Sequence, residues 1–252
     1  MNVSIKRALQ AFNRNTKKQA AIGCAVTTAV FALAQVPYVG GLLAAIVAVP
    51  LIGYFFRFSA QQIASVEATA LPEWNDFSEL VINGLRNVFL SLIQILLIIV
   101  LPVTCAMVTS LIGTIAGGFA GGLLLGGAVF LISLLAIGIP AAILAQFSSL
   151  RFAATNSIAK ALNIFSLLHF GLREFVPIFC VLLAWIMLGM FDLATQGIDD
   201  TTISLVLSPI IGSIQFGFAV VITSLWAQAY APFHAYESRK IEDNTQPPVL
   251  SE

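Results

Sequence analysis

Leu71-Pro72-Glu73-Trp74-Asn75-Asp76-Phe77-Ser78-Glu79-Leu80 interrupts an otherwise strongly apolar chain, and its reading decides the fold. Pro72 bars a preceding helix from continuing through Glu73. Asn75 or Asp76 can cap a new helix, and Glu79, three residues after Asp76, completes a capping-box pattern. Beyond the cap, Phe77, Leu80, Val81, Gly84, Leu85, Val88 and Phe89 form one helical face, opposed by Ser78, Glu79, Asn83, Arg86 and Asn87. Upstream, Tyr54 and Arg57 join Trp74 as residues suited to a membrane interface, the cation snorkelling beyond the end of a span. The stretch therefore reads as a surface-lying elbow between two membrane hairpins, with a span entering the bilayer directly from it.

The rest of the chain supports a membrane setting. Of 252 residues, 59% are hydrophobic and 10% charged, with mean hydropathy +0.96; soluble domains carry about 25% charged residues. No alternating ten-residue segments suggest a β-barrel. The basic N-terminal residues Lys6, Arg7, Arg14, Lys17 and Lys18 precede a span-length run without a clear cleavage site, so a retained first span is expected. Zero formal net charge gives no reason to expect a nucleic-acid partner. Cys24, Cys105 and Cys180 all lie in apolar runs without metal-ligand spacing and read as small buried hydrophobes.

Working outward, the pattern predicts an all-α bundle of about six spans in three hairpins, each preceded by a cytoplasmic-face amphipathic helix. The spans are expected near 20–36, 39–56, 88–108, 117–147, 175–193 and 203–230. They form a single transmembrane domain over 1–236, followed by a disordered cytoplasmic tail over 237–252. Residues 1–18 supply the first amphipathic segment, with Ile5, Ala8, Leu9 and Phe12 on one face. Residues 151–170 repeat the theme with Ile158, Ala161, Leu162 and Phe165. On this map every Lys and Arg falls on one side, which puts both termini and both long connections in the cytoplasm. The expected location is a prokaryotic cytoplasmic membrane.

Two internal patterns stand out. Ser4-Ile5-Lys6-Arg7-Ala8-Leu9 echoes Ser157-Ile158-Ala159-Lys160-Ala161-Leu162, and Gly84-Leu85-Arg86 echoes Gly171-Leu172-Arg173, as parallel hairpin repeats would. Gly113, Gly117 and Gly121, interleaved with Gly118, Gly122 and Gly126, recur at four-residue spacing and form a helix-packing surface. It can serve within one bundle or between copies in a homo-oligomer.

The order Gly53-Tyr54-x-x-Arg57, Leu71-Pro72-Glu73-Trp74-Asn75-Asp76-Phe77 and Asn83-Gly84-Leu85-Arg86, with Arg151-Phe152-Ala153-Ala154-Thr155, resembles the prokaryotic membrane family known as domain of unknown function 4013. The resemblance covers most of the membrane part and centres on Leu-Pro-Glu-Trp. This chain has Asn75, Phe77, Asn83 and Arg86 where the family often shows Asp, Trp, Asp and Lys. The resemblance implies a multi-span membrane protein and supplies no reaction.

Candidate chemistry is sparse. Glu67, Glu73, Asp76 and Glu79 cluster at the expected surface. They read either as a divalent-cation or docking site or as capping groups and ion pairs with Arg57 and Arg86; the glycine-turned ligand spacing of a hard-cation loop is missing. The spans hold Gln35, Gln94 and Gln215 but no central charge, which argues against proton-coupled transport. His169 and His234 flank the last two spans. No nucleophile elbow, phosphate loop or paired-histidine motif is present. No cofactor is expected. The reading is a non-catalytic membrane component binding lipid, another membrane protein or a second copy of itself. The alternatives are a transporter or channel component, then a membrane-embedded enzyme. The elbow residues Arg57, Pro72, Glu73, Trp74, Asp76, Glu79 and Arg86 are the first place to look for docking.

Overall fold

A computed structural model describes residues 4–12, 16–65, 70–133, 136, 139–163 and 201–245. The described elements are helical: α1 (Ile5–Leu9) with a 3₁₀ turn (Gln10–Phe12), α2 (Lys17–Ala34), α3 (Gly40–Ala64), α4 (Phe77–Ser133), α5 (Ile139–Thr155), α6 (Ile158–Ala161) and α7 (Thr201–Thr245). Among the described residues, four segments are long and apolar enough to cross a membrane: Gly40–Ala64, Phe77–Leu96, Pro102–Ser133 and Val206–Tyr236. The expected fifth span at 175–193, with His169, lies outside the described residues. So do Arg14, Glu67 and Arg173.

The expected first span, 20–36, corresponds to α2, which is 18 residues long and falls outside those four. Lys17, Lys18, Gln19, Thr27 and Thr28 dilute its hydropathy. At about 27 Å it is also slightly shorter than the hydrocarbon layer. Its small residues let it pack tightly: a Cβ on Gly23 would run into the ring of Phe216, and one on Gly212 would lie 2.6 Å from Thr28 Oγ1. α2 thus nests against α7 although the two are far apart in sequence.

The α3–α4 contact uses the same device reciprocally. A Cβ on Gly53 would collide with the carbonyl of Leu80, and one on Gly84 with the carbonyl of Val49. Glycine at both positions allows two backbones to meet where any other side chain would part them. This crossing brings the end of α3 beside the start of α4 and so fixes the elbow between them.

α4 absorbs the expected third span and the loop beyond it. The helix runs past residue 108 through Thr109–Ala116, because Thr109 and Thr114 hydroxyls donate to the carbonyls of Cys105 and Ser110 at 2.8 Å and conceal their polarity. The chain reverses instead at Gly117 (φ −136°) and Gly118 (φ 69°, ψ −167°), a conformation confined in practice to glycine. The two arms then close on each other. A Cβ on Gly113 would stand 2.7 Å from the Gly121 carbonyl, one on Gly126 2.7 Å from Ser110 Cβ, and one on Gly122 would clash with Thr114 Oγ1. The glycine series therefore lines a helical hairpin within the chain.

Two surface segments differ from expectation. The amphipathic helix expected over 151–170 is broken at Asn156 (φ 49°): Arg151–Thr155 finish α5, and Ser157 caps the short α6. The segment expected to be a disordered tail from residue 237 continues α7 as helix to Thr245. No glycine or proline lies between residues 237 and 245, and Pro247-Pro248 come only after the helix ends.

The core is aromatic. One cluster joins Ala8, Ile63, Phe147, Leu150, Ile222, Leu225, Trp226, Ala227 and Tyr230; a second joins Ala11, Tyr54, Phe58, Leu71, Leu80, Phe216 and Val220. Both draw on the N-terminal segment. Ala8 and Ala11 are buried against the bundle, while Ile5, Leu9 and Phe12 remain exposed. The expected apolar face of the first amphipathic helix is thus divided, its alanines seating it on the protein and its larger residues facing outward.

Candidate functional site

The elbow is organised by one arginine. Arg57, near the end of α3, donates through Nη1 to Asn75 Oδ1 at 2.9 Å and to the carbonyls of Asn75 and Glu73 at 3.3 and 3.4 Å. Its Nη2 pairs with Glu79 Oε2 at 2.5 Å. A planar five-donor guanidinium suits this fan of acceptors, whereas a lysine would satisfy only part of it. The loop is stiffened from within by Asn75 Nδ2, which donates to Glu73 Oε2 at 3.1 Å.

Trp74 fastens the other side. Its ring stacks on Tyr54, with centroids 4.1 Å apart and planes 8° from parallel, and its indole N–H donates to the carbonyl of Gln19 at 3.1 Å. The elbow thereby ties α2, α3 and α4 together. Leu71 and Pro72 are buried beneath it, while Glu73, Asn75 and Asp76 are exposed.

Glu79 does not have the capping role expected of it. Its carboxylate is held by Arg57 and by Asn83 Nδ2 at 3.4 Å, while Asp76 turns the chain at φ 52° and its carbonyl accepts the Leu80 N–H at 3.1 Å. Arg86 sits about two turns farther along α4 and donates to Asn156 Oδ1 at 3.4 Å, which links α4 to the α5–α6 turn. The structure thus brings Arg57, Glu73, Trp74, Asn75 and Glu79 into one network, with Pro72 beneath it and Arg86 in a separate contact.

Among the described residues, no group of three or more His, Cys, Asp or Glu is placed to hold a metal ion. His234 lies along Tyr230 on α7, ring centroids 6.3 Å apart.

Sequence reading missed two arrangements. The first is a polar string through the core: Ser4 N–H donates to Gln228 Oε1 at 2.9 Å, Gln228 Nε2 to Ser224 Oγ at 3.2 Å, and Ser224 Oγ to Gln62 Oε1 at 3.4 Å. Gln62 lies beyond the expected end of its span at residue 56, and Gln228 lies in the last turn of the expected span 203–230. The second is a groove of ≈ 630 Å³ along the α4 hairpin, lined by Val103, Met107, Leu111, Leu123 and Phe130 with small residues at its floor. The floor was visible in the glycine spacing; the reversal that makes it a groove was not.

The model of a family described as protein of unknown function (DUF4013) matches residues 39–223, which include α3, the elbow and α4. No curated protein and no solved structure matches the chain. The chain belongs to the DUF4013 family.

Proposed function

We propose that this DUF4013 member is a six-span protein of the prokaryotic cytoplasmic membrane that acts non-catalytically, by holding a lipid acyl chain along its glycine hairpin. The observation carrying this reading is the ≈ 630 Å³ groove, apolar along its walls and set in helix arms long enough to lie within the bilayer. Small residues on the floor leave a channel where larger side chains would close it, and dispersion contacts along a chain accumulate without any polar group. The elbow has a supporting part. Its polar groups hold one another, so it fixes the angle at which α4 enters the membrane.

Purification in native nanodiscs followed by lipid mass spectrometry tests the reading. Wild type should retain a defined lipid population, and Gly127→Leu, which projects into the groove from a position with open space around it, should lose it while remaining folded. Equal lipid profiles for the two proteins refute it. The orientation is tested separately by thiol labelling of single cysteines at Ser157 and Thr114 in a background without Cys24, Cys105 and Cys180. Cytoplasmic reagent should reach the first position and not the second.

A further inference from the structure

A second cavity lies inside the bundle, away from the hairpin. It is a half-open pocket of ≈ 250 Å³ between α3, α4, α5 and α7, and its lining includes Phe55, Phe56, Ser59, Asn87, Thr223 and Trp226. Two of these residues carry buried polar atoms with no hydrogen-bond partner among the described residues: the Trp226 indole N–H, a donor, and Asn87 Oδ1, an acceptor. Trp226 as a whole is only 5% exposed. A buried polar group left unpaired costs about 1–3 kcal/mol, more than ordinary packing of an indole would require. Among the described residues the lining contains no Asp, Glu, Lys, Arg or His, so a charged ligand would find no counter-ion in that part of the wall.

Position adds a second constraint. Phe56 precedes Arg57, the centre of the elbow, and Asn87 follows Arg86, so two lining residues are sequence neighbours of cations that bond to exposed loop groups. Cations near the ends of membrane helices favour the interface, where lipid glycerol and ester groups lie. At ≈ 250 Å³ the cavity is below the range of about 300–1,000 Å³ typical of drug-sized sites, so it takes a small molecule or one group of a larger one.

We propose that this cavity is a binding site for a neutral hydroxyl-and-carbonyl group of glycerol-ester type, its carbonyl accepting from Trp226 Nε1 and its hydroxyl donating to Asn87 Oδ1. The aromatic rings of Phe55 and Phe56 flank the carbon skeleton. This site is separate from the hairpin groove, and either can fail without the other.

The test uses the full-length protein in detergent, with binding read from the saturable rise in thermal stability. Dioleoylglycerol and glycerol monoacetate are the probes, since the same ester carbonyl and hydroxyl can come from a neutral lipid or a water-soluble ester. Saturable stabilisation by dioleoylglycerol assigns a lipid source; saturable stabilisation by glycerol monoacetate alone assigns a soluble one. In either case Trp226→Phe, which removes the N–H and keeps the bulk, should weaken binding about tenfold, the value of one buried hydrogen bond. Asn87→Leu, of similar branched shape and without the acceptor, should do the same and provides a second reading if Trp226→Phe does not fold. Absence of saturable binding by both probes overturns the proposal and leaves a water-filled cavity. Binding that both substitutions leave unchanged also overturns it.

Discussion

Replacing Arg57 with alanine should destabilise the protein by about 2–4 kcal/mol, and the contacts set that range. The 2.9 Å bond to Asn75 Oδ1 has a charged donor and contributes about 1.5–3 kcal/mol. The pair with Glu79 is short, but the Glu79 side chain is 56% exposed, so solvent screening reduces it to about 0.2–1 kcal/mol. The contacts to the Glu73 and Asn75 carbonyls, at 3.4 and 3.3 Å, are at the long end of hydrogen bonding and add little beyond geometry. Arg57→Lys separates these contributions. A lysine ammonium can keep Glu79 but cannot fan across Asn75 as well, so most of the loss, about 1.5–3 kcal/mol, should remain. Reversible denaturant titration in micelles measures the stability, and near-ultraviolet circular dichroism reports the Trp74–Tyr54 stack. A double-mutant cycle with Asn75→Ala should give a coupling of about 0.5–3 kcal/mol. If Arg57→Lys matches wild type, the multi-acceptor account of the elbow is wrong, and Arg57 acts only as a charge beside Glu79.

Other substitutions test other joints. Trp74→Phe keeps most of the stack on Tyr54 but loses the bond to Gln19, so it should cost about 1 kcal/mol and raise amide exchange near the start of α2. Gly53→Ala and Gly84→Ala should each cost about 1–3 kcal/mol by forcing α3 and α4 apart. Their double mutant should lose less than the sum, because one separation relieves both clashes; strict additivity in the same titration contradicts the crossing. Gly118→Ala places a Cβ on a residue at φ 69°, ψ −167° and should cost about 1–3 kcal/mol, whereas Gly127→Ala, with open space around it, should be nearly neutral.

The apolar helical character and the position of the elbow were legible because both follow from local composition: an apolar chain, one proline, and polar residues at the next helix start. Helix ends were less legible. A span ends in sequence where hydropathy falls, but a helix ends where its hydrogen bonds end. α3 continues to Ala64, beyond the expected limit at residue 56, because Phe58 and Ile63 are buried and Ser59 Oγ donates back to the Phe55 carbonyl at 2.9 Å. Pro72, Glu73, Trp74 and Arg57 were identified from sequence, and so was an ion pair between Arg57 and the acidic cluster, which Glu79 makes. That Arg57 would also bond to Asn75, and Trp74 to the Gln19 carbonyl, depends on the Gly53–Gly84 crossing. That crossing is a long-range contact no local spacing records.

The two serine-led segments show what the internal echo means physically. Ser4 and Ser157 have near-identical extended backbones, φ/ψ −121°/114° and −128°/113°. Each accepts through its hydroxyl from the N–H three residues on, Arg7 in one case and Lys160 in the other, at 3.4 Å. Each is followed four residues later by an alanine, Ala8 or Ala161, that is fully buried. A serine cap fixes where the short helix begins, and an alanine one turn later is small enough to let its backbone lie against the bundle. Neither helix is long enough to be stable alone, so the seat must supply what propensity does not. The elbow joins the hairpins by other means: Arg57 and Trp74 reach across from one helix to the next and hold the loop by its backbone. A capped helix suffices where a surface segment only needs a seat. Between α3 and α4 the chain must also set a crossing angle, and that requires side chains anchored on both sides of the turn.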